Sequence, residues 1–89
     1  MLATDFGAPP YNKIQAEHCR QRLWQRFRKT IPAWRIQCEI KRIITSGKCL
    51  KLHSPGNRPE TDVYSMVYCG ERLRAVHDAD TDTIVTVLP

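Results

Sequence analysis

The sequence predicts an α+β domain, with two N-terminal helices packed on one face of a four-stranded antiparallel sheet in the order ααββββ. Three observations carry that expectation. Apolar residues recur at helical spacing as far as Gly47 and then change to β-type alternation. The last thirty residues hold three β-rich runs joined by turns too short for a crossover, so consecutive strands must be antiparallel. The 89 residues suffice for one compact core and are too few for two.

Residues 1–13, MLATDFGAPPYNK, hold Gly, a Pro pair and no periodicity, and are predicted to form a flexible arm ahead of a single domain over 14–89. From Ile14 to about Lys29, Cys19, Leu23, Trp24 and Phe27 share one broad arc with Ile31, which reads as the first helix. Pro32 suits the first turn of a second helix, in which Ala33, Ile36, Ile40, Ile43 and Ile44 form the apolar face and Gly47 the left-handed cap. KCLKLHS then sets Leu50 and Leu52 on one face of a strand, and SPGNRPE interrupts it with two Pro and a Gly as a loop or flap. DVYSMVYC, a turn at Gly70, ERLRAVH, the DADTD turn and TIVTVL complete an antiparallel meander.

Charge is segregated along the chain. The first 59 residues carry twelve Lys/Arg against three Asp/Glu, and the last thirty carry two against six, so lobes of +9 and −4 give the net +5. A lobe this basic attracts polyanions, nucleic acid first and an acidic protein or membrane surface behind it. No apolar run approaches 18 residues and no charged-then-apolar leader opens the chain, so a cytoplasmic protein with no membrane partner is expected. Cys19, Cys38, Cys49 and Cys69 form no C-x-x-C pair and read as apolar fillers, with no metal and no cofactor expected. Nucleotide-loop, dinucleotide, serine-hydrolase and zincin motifs are all missing, which removes most enzyme classes.

The segment EHCRQRLWQRF sets His18, Arg22 and Arg26 four residues apart. With Lys29 they occupy an arc of roughly 80° bordering the apolar seam. Arg20 projects into the apolar arc, and the sequence offers no account of it beyond a snorkelling stem or a frayed turn. A solvated helix face is the ordinary reading of such a stripe. The functional one is metal-independent RNA cleavage, which needs a base for the 2′-hydroxyl, cations for the phosphorane and an acid for the leaving oxygen. Arg22 and Arg26 could fork onto phosphate, and an imidazole at His18 can take or give a proton near neutral pH.

Thr86, a hydroxyl within an apolar strand, either packs or holds a phosphate or His18 in place. Lys29, Lys48, Lys51, Arg72 and Arg74 could widen a phosphate-tracking surface, while nothing selects His53 or His77 as a second proton-transfer group. Tyr64 and Tyr68 share a strand face, and Trp24 and Trp34 are assigned to helix packing rather than to base stacking.

The helix motif H-x-x-x-R-x-x-x-R, the second helix ending in a small turn, and the close LRAVHDADTDTIVTVLP together resemble small prophage and toxin-associated domains of the RelE-like superfold, which includes barnase, EndoU and colicin nucleases. The likeness spans about residues 14–89. It implies two helices against an antiparallel sheet and, in toxin members, RNA cleavage without metal by His, Arg and Thr or Ser gathered between helix and sheet. By position it carries over to His18, Arg22, Arg26 and Thr86, while His77 stands where relatives often show a tyrosine beside Asp78.

The expectation is therefore a metal-independent endoribonuclease or toxin-like RNA-binding protein of phage or mobile-element origin, acting on RNA or the ribosome. The rival is a non-enzymatic binding module, such as a phage-encoded inhibitor, that docks its basic helical face on an acidic antitoxin, a host protein or a nucleic-acid-bearing complex. DNA binding without chemistry is a third reading. The sequence leaves the oligomeric state open.

Overall fold

The computed structural model describes residues 12–52 and 61–89. Its elements run α1 Lys13–Phe27, α2 Ala33–Ser46, β1 Leu50–Leu52, β2 Thr61–Tyr68, β3 Glu71–Asp78 and β4 Thr83–Leu88. This is the predicted order, two helices followed by a four-stranded antiparallel sheet.

Local chemistry sets the helix ends. The Asn12 side chain accepts from the Gln15 amide at 3.0 Å and so satisfies one of the free N–H groups that open α1. Residues 12 and 13 thus belong to the helix start rather than to the predicted arm, the rest of which lies outside the described residues. At the other end Arg28 takes a left-handed conformation, φ 58°, and returns its amide to the Trp24 carbonyl at 2.9 Å. Its guanidinium lies 4.7 Å from the centre of the Trp24 ring, a cation–π contact that offsets part of the backbone strain. Pro32 is the N-cap of α2 rather than a residue of its first turn, with an extended ψ of 147°. Gly47, φ 77°, closes α2 by donating to the Ile43 and Ile44 carbonyls, the predicted left-handed cap.

The sheet is a meander in spatial order β1-β2-β3-β4. Strand alternation divides its side chains between two faces. Tyr64, Met66, Tyr68, Leu73, Ala75 and Val87 share the face turned to the helices, where with Ile84 they pack against Cys19 and Leu23 of α1 and Ile36 and Ile40 of α2. Fully burying each Leu or Ile side chain contributes about 1.5–3 kcal/mol, and Leu23, Ile36, Ile40, Leu73 and Ile84 are all sealed from solvent. The second face carries Leu50, Ser65, Val67, Arg72, Arg74, Val76, Thr86 and Leu88. A register shift lies beside Val76 and His77: Val76 pairs with Thr86 and His77 with Ile84, so Val85 is the extra residue of a bulge.

β4 is an edge strand, and the helices close its free edge. The Gln37 side-chain amide donates to the Ile84 carbonyl at 2.8 Å and accepts from the Ile84 amide at 2.7 Å, imitating the pairing of a missing fifth strand. Arg26 donates to the Val87 carbonyl at 2.7 Å.

Two expectations about packing are overturned. Trp24 and Trp34, assigned to core or helix packing, are 45% and 67% exposed. Of the cysteines, Cys19 fills the core and Cys49 is half-buried, whereas Cys38 and Cys69 are exposed, because their positions fall outside the apolar stripe and in a turn. The predicted loop SPGNRPE and His53 lie outside the described residues.

Candidate functional site

α1 straddles the free edge of β4. Its Leu23 side enters the core, while Gln15 reaches round the edge and donates to the Asp78 carboxylate at 3.1 Å, and accepts from the Thr81 hydroxyl at 2.8 Å. Asp78 lies two residues beyond Val76 and so shares the second face, which also bears Thr86 opposite Val76. At about 100° per residue, Gln15, Arg22 and Arg26 fall within roughly 40° of one another on α1, with His18 roughly 40° further towards solvent. The flank of α1 that carries the basic stripe therefore runs beside the face that carries Thr86.

Within that flank His18 and Arg22 touch: the Arg22 Nε donates to His18 Nε2 at 3.3 Å, and its Nη1 donates to Gln25 at 2.8 Å. In that contact the ring nitrogen Nε2 is the acceptor. His18 is exposed and borders an open hollow of about 360 Å³, along with Lys13, Ile14, Glu17 and Gln21. Arg26 spends one N–H on the Val87 carbonyl, the residue next to Thr86, and keeps four donors for a ligand. Thr86 is half-buried. The structure thus brings His18 and Arg22 together and anchors Arg26 on the main chain of the residue after Thr86, with Arg22 at the middle of the row.

The five further cations proposed from the sequence do not form one surface. Lys29 lies 3.6 Å from Glu71 and Lys51 3.7 Å from Asp62, so both are partly neutralised. Lys51 pairs with Tyr64 and belongs to the helix-side face of the sheet, at its β1 edge. Lys48 is exposed in the turn after α2. Arg72 and Arg74 share the second face, as the alternation requires, and border a hollow of about 250 Å³ with Ser65 and Pro89. Arg74 also donates to the Pro89 carbonyl at 3.2 Å. Because Arg74 pairs with Leu88 and Val76 with Thr86, Arg74 is a diagonal neighbour of Thr86. Arg20, unexplained by periodicity, is half-exposed and pairs with Glu17 one turn earlier.

The sequence did not select the gathering on the other face of the sheet. His77 Nε2 lies 2.8 Å from Asp82 Oδ1, and Lys41 reaches the Asp82 carbonyl at 3.0 Å and its carboxylate at 3.4 Å. His77, Asp82 and Lys41 line a groove of about 290 Å³ with Ile44 and Thr45. The hydrogen bond from His77, and then the charge of Lys41, hold the Asp82 carboxyl below its ordinary value despite some desolvation. This cluster ties the β3–β4 turn to α2. The only signal for it was the DADTD turn following His77, and nothing in the sequence places Lys41 opposite it.

Tyr68 donates to Glu39 at 2.6 Å, and Arg35 donates to the same carboxylate at 3.0 Å. Burial and that bond to a carboxylate push the Tyr68 phenol well up, and the phenol bond, with Arg35, holds Glu39 down. The pair fastens α2 to β2. Among the described residues, no group of three or more His, Cys, Asp or Glu side chains is placed to hold a metal ion. No described helix is long and apolar enough to cross a membrane.

No family model matches the chain, nor does any curated protein or solved structure. The functional reading therefore rests on the residues themselves.

Proposed function

We propose that this protein binds RNA along the stripe of α1 beside β4 and cleaves it without a metal ion. The observation that carries the proposal is the contact between His18 and Arg22, in line with an Arg26 anchored on the carbonyl of the residue after Thr86. The resemblance to toxin members of the RelE-like superfold, carried by the helix motif and the final strand, supports the same assignment, and with it a phage or mobile-element origin.

In this mechanism the phosphodiester enters between Arg22 and Arg26. The incoming anion draws the Arg22 guanidinium from the imidazole, because a charge-assisted fork onto phosphate is stronger than its bond to a neutral ring. That frees His18 Nε2 to take the 2′-hydroxyl proton. The 2′-oxygen attacks phosphorus, the bond to the 5′-oxygen breaks, and the leaving oxygen takes a proton from water. The products are a 2′,3′-cyclic phosphate and a 5′-hydroxyl. Arg22 and Arg26 stabilise the charge that develops on the phosphorane, and the Thr86 hydroxyl donates to a non-bridging oxygen. Arg72 and Arg74 extend the phosphate track across the second face.

Purified protein incubated with RNA or ribosomes in EDTA should cleave. His18→Ala should lower the rate by about 10²-fold or more with an unchanged circular dichroism spectrum, since the side chain is exposed. Wild-type activity in that variant, or no cleavage by the parent, ends the catalytic proposal.

The exposure of Trp24 and Trp34 favours a second reading, a non-enzymatic module that docks its helices on an acidic antitoxin or host protein, because Trp and Arg dominate such interfaces. A stoichiometric protein partner that survives nuclease treatment of a lysate, with no cleavage by the purified chain, would decide for it.

A further inference from the structure

The corner between α1 and α2 spends two tryptophans on solvent. Over residues 24–35 the chain carries four cations, Arg26, Arg28, Lys29 and Arg35, and no carboxylate. The hairpin from Asn12 to Lys48 carries ten Lys/Arg against two Asp/Glu, both of which already pair with arginines, Glu17 with Arg20 and Glu39 with Arg35. Trp34, at the second position of α2, is 67% exposed, and Trp24 is 45% exposed with Arg28 over one face of its ring. An indole left in water forfeits a large apolar burial, since a covered tryptophan hides roughly 150–250 Å². Lys29 and Arg35 already face Glu71 and Glu39, whereas Arg26 and Arg28 have no carboxylate partner among the described residues, and flat aromatic faces beside such cations fit unpaired nucleobases on a phosphate backbone.

We infer that the helical corner is a stacking platform for single-stranded RNA, with Trp34 receiving an unpaired base while Arg26 and Arg28 track the adjoining phosphates. This inference rests on the proposed RNA-directed function and names its substrate class: an unstacked strand or loop, rather than a duplex. In a duplex the base faces are already stacked, so the indole gains nothing. The sequence separation supports one continuous footprint. Arg26 belongs both to the corner and to the α1 stripe, so a strand held at the corner leads directly to Arg22 and His18, one and two turns back along α1.

The test uses the full chain in EDTA with 2′-O-methyl oligonucleotides, which keep bases and phosphates and cannot be cut. Binding is read by tryptophan fluorescence and by a labelled oligonucleotide. A 12-nucleotide single strand should quench the indole emission and bind more tightly than a duplex of the same charge. Trp34→Ala should weaken the single strand by roughly 10- to 100-fold, one stacked base, and leave an abasic strand bound as by the parent. Arg26→Ala should instead lower the salt dependence for both strands.

Equal affinity for strand and duplex, absence of quenching, or an unaltered Trp34→Ala would overturn the inference. So would an acidic protein partner whose binding is lost in Trp34→Ala while the single strand still binds. The two proposals fail separately. Loss of cleavage with strand-selective quenching intact removes only the catalytic step, whereas cleavage that persists with no strand preference removes only the platform.

Discussion

Gln37 is the most informative position to perturb, because one side chain satisfies two backbone groups on the edge of β4. The residue is 3% exposed, and its amide holds both the amide and the carbonyl of Ile84, at 2.7 and 2.8 Å. Gln37→Met keeps the length and apolar stem and removes both polar atoms. Ile84 cannot change to compensate, since its partners are main-chain atoms, so two buried groups lose their bonds at about 1–3 kcal/mol each. The expected loss is therefore about 2–6 kcal/mol, against a total stability of roughly 4–13 kcal/mol for a chain of 89 residues.

Urea titration followed by circular dichroism measures it, with Gln21→Met on the exposed face of α1 as control. At 4–8 °C per kcal/mol, a loss of about 3 kcal/mol lowers the melting midpoint by roughly 12–24 °C. Gln37→Glu adds a check on sign. The carboxylate can accept from the Ile84 amide but faces the Ile84 carbonyl, so burial keeps its proton to higher pH than in the unfolded chain. That variant should lose stability as pH rises through the interval between the two values. A Gln37→Met protein within about 0.5 kcal/mol of the parent would refute the reasoning that the side chain stands in for a strand.

Two other predictions concern Asp82 and the cysteines. The Asp82 carboxyl is held down by the hydrogen bond from His77 and by Lys41, so its contribution is complete above the unfolded carboxyl value, about 3.9, and disappears as pH falls through the depressed folded value. Asp82→Asn should flatten the acid limb of stability against pH, and an unchanged limb would show that the cluster does not couple to folding. Burial pushes the Cys19 thiol up to about 12, while Cys38 and Cys69 stand exposed. Iodoacetamide with peptide mass mapping should label Cys38 and Cys69 in the native protein and Cys19 only with unfolding; native labelling of Cys19 would contradict its place in the core.

The local periodicities of the sequence determined a good deal. The 3.6-residue recurrence of Leu23 and of Ile36 and Ile40 defines two helices, because a helix can bury only one stripe. Gly47 ends the second, because only a residue without a Cβ enters the left-handed region at little cost. Strand alternation likewise put Arg72 and Arg74 on one face of their strand and Tyr64 and Tyr68 on one face of theirs, a property of the pleat that needs no knowledge of neighbours, while the register set the two pairs on opposite faces of the sheet. The row of His18, Arg22 and Arg26 was equally legible, being a matter of turns along one helix.

What the tertiary structure alone decided is how those elements meet. Periodicity cannot say which strand a helix lies against, so neither Arg26 on the Val87 carbonyl nor Gln37 on Ile84 could be read from spacing. Their partners stand 61 and 47 residues away in the chain. The same holds for Lys41 on Asp82, 41 residues away, and for the exposure of Trp24 and Trp34, whose apolar character suggested burial. An amphipathic pattern reports that a side chain has an apolar surface to hide; only the packing of the other elements decides whether anything arrives to cover it.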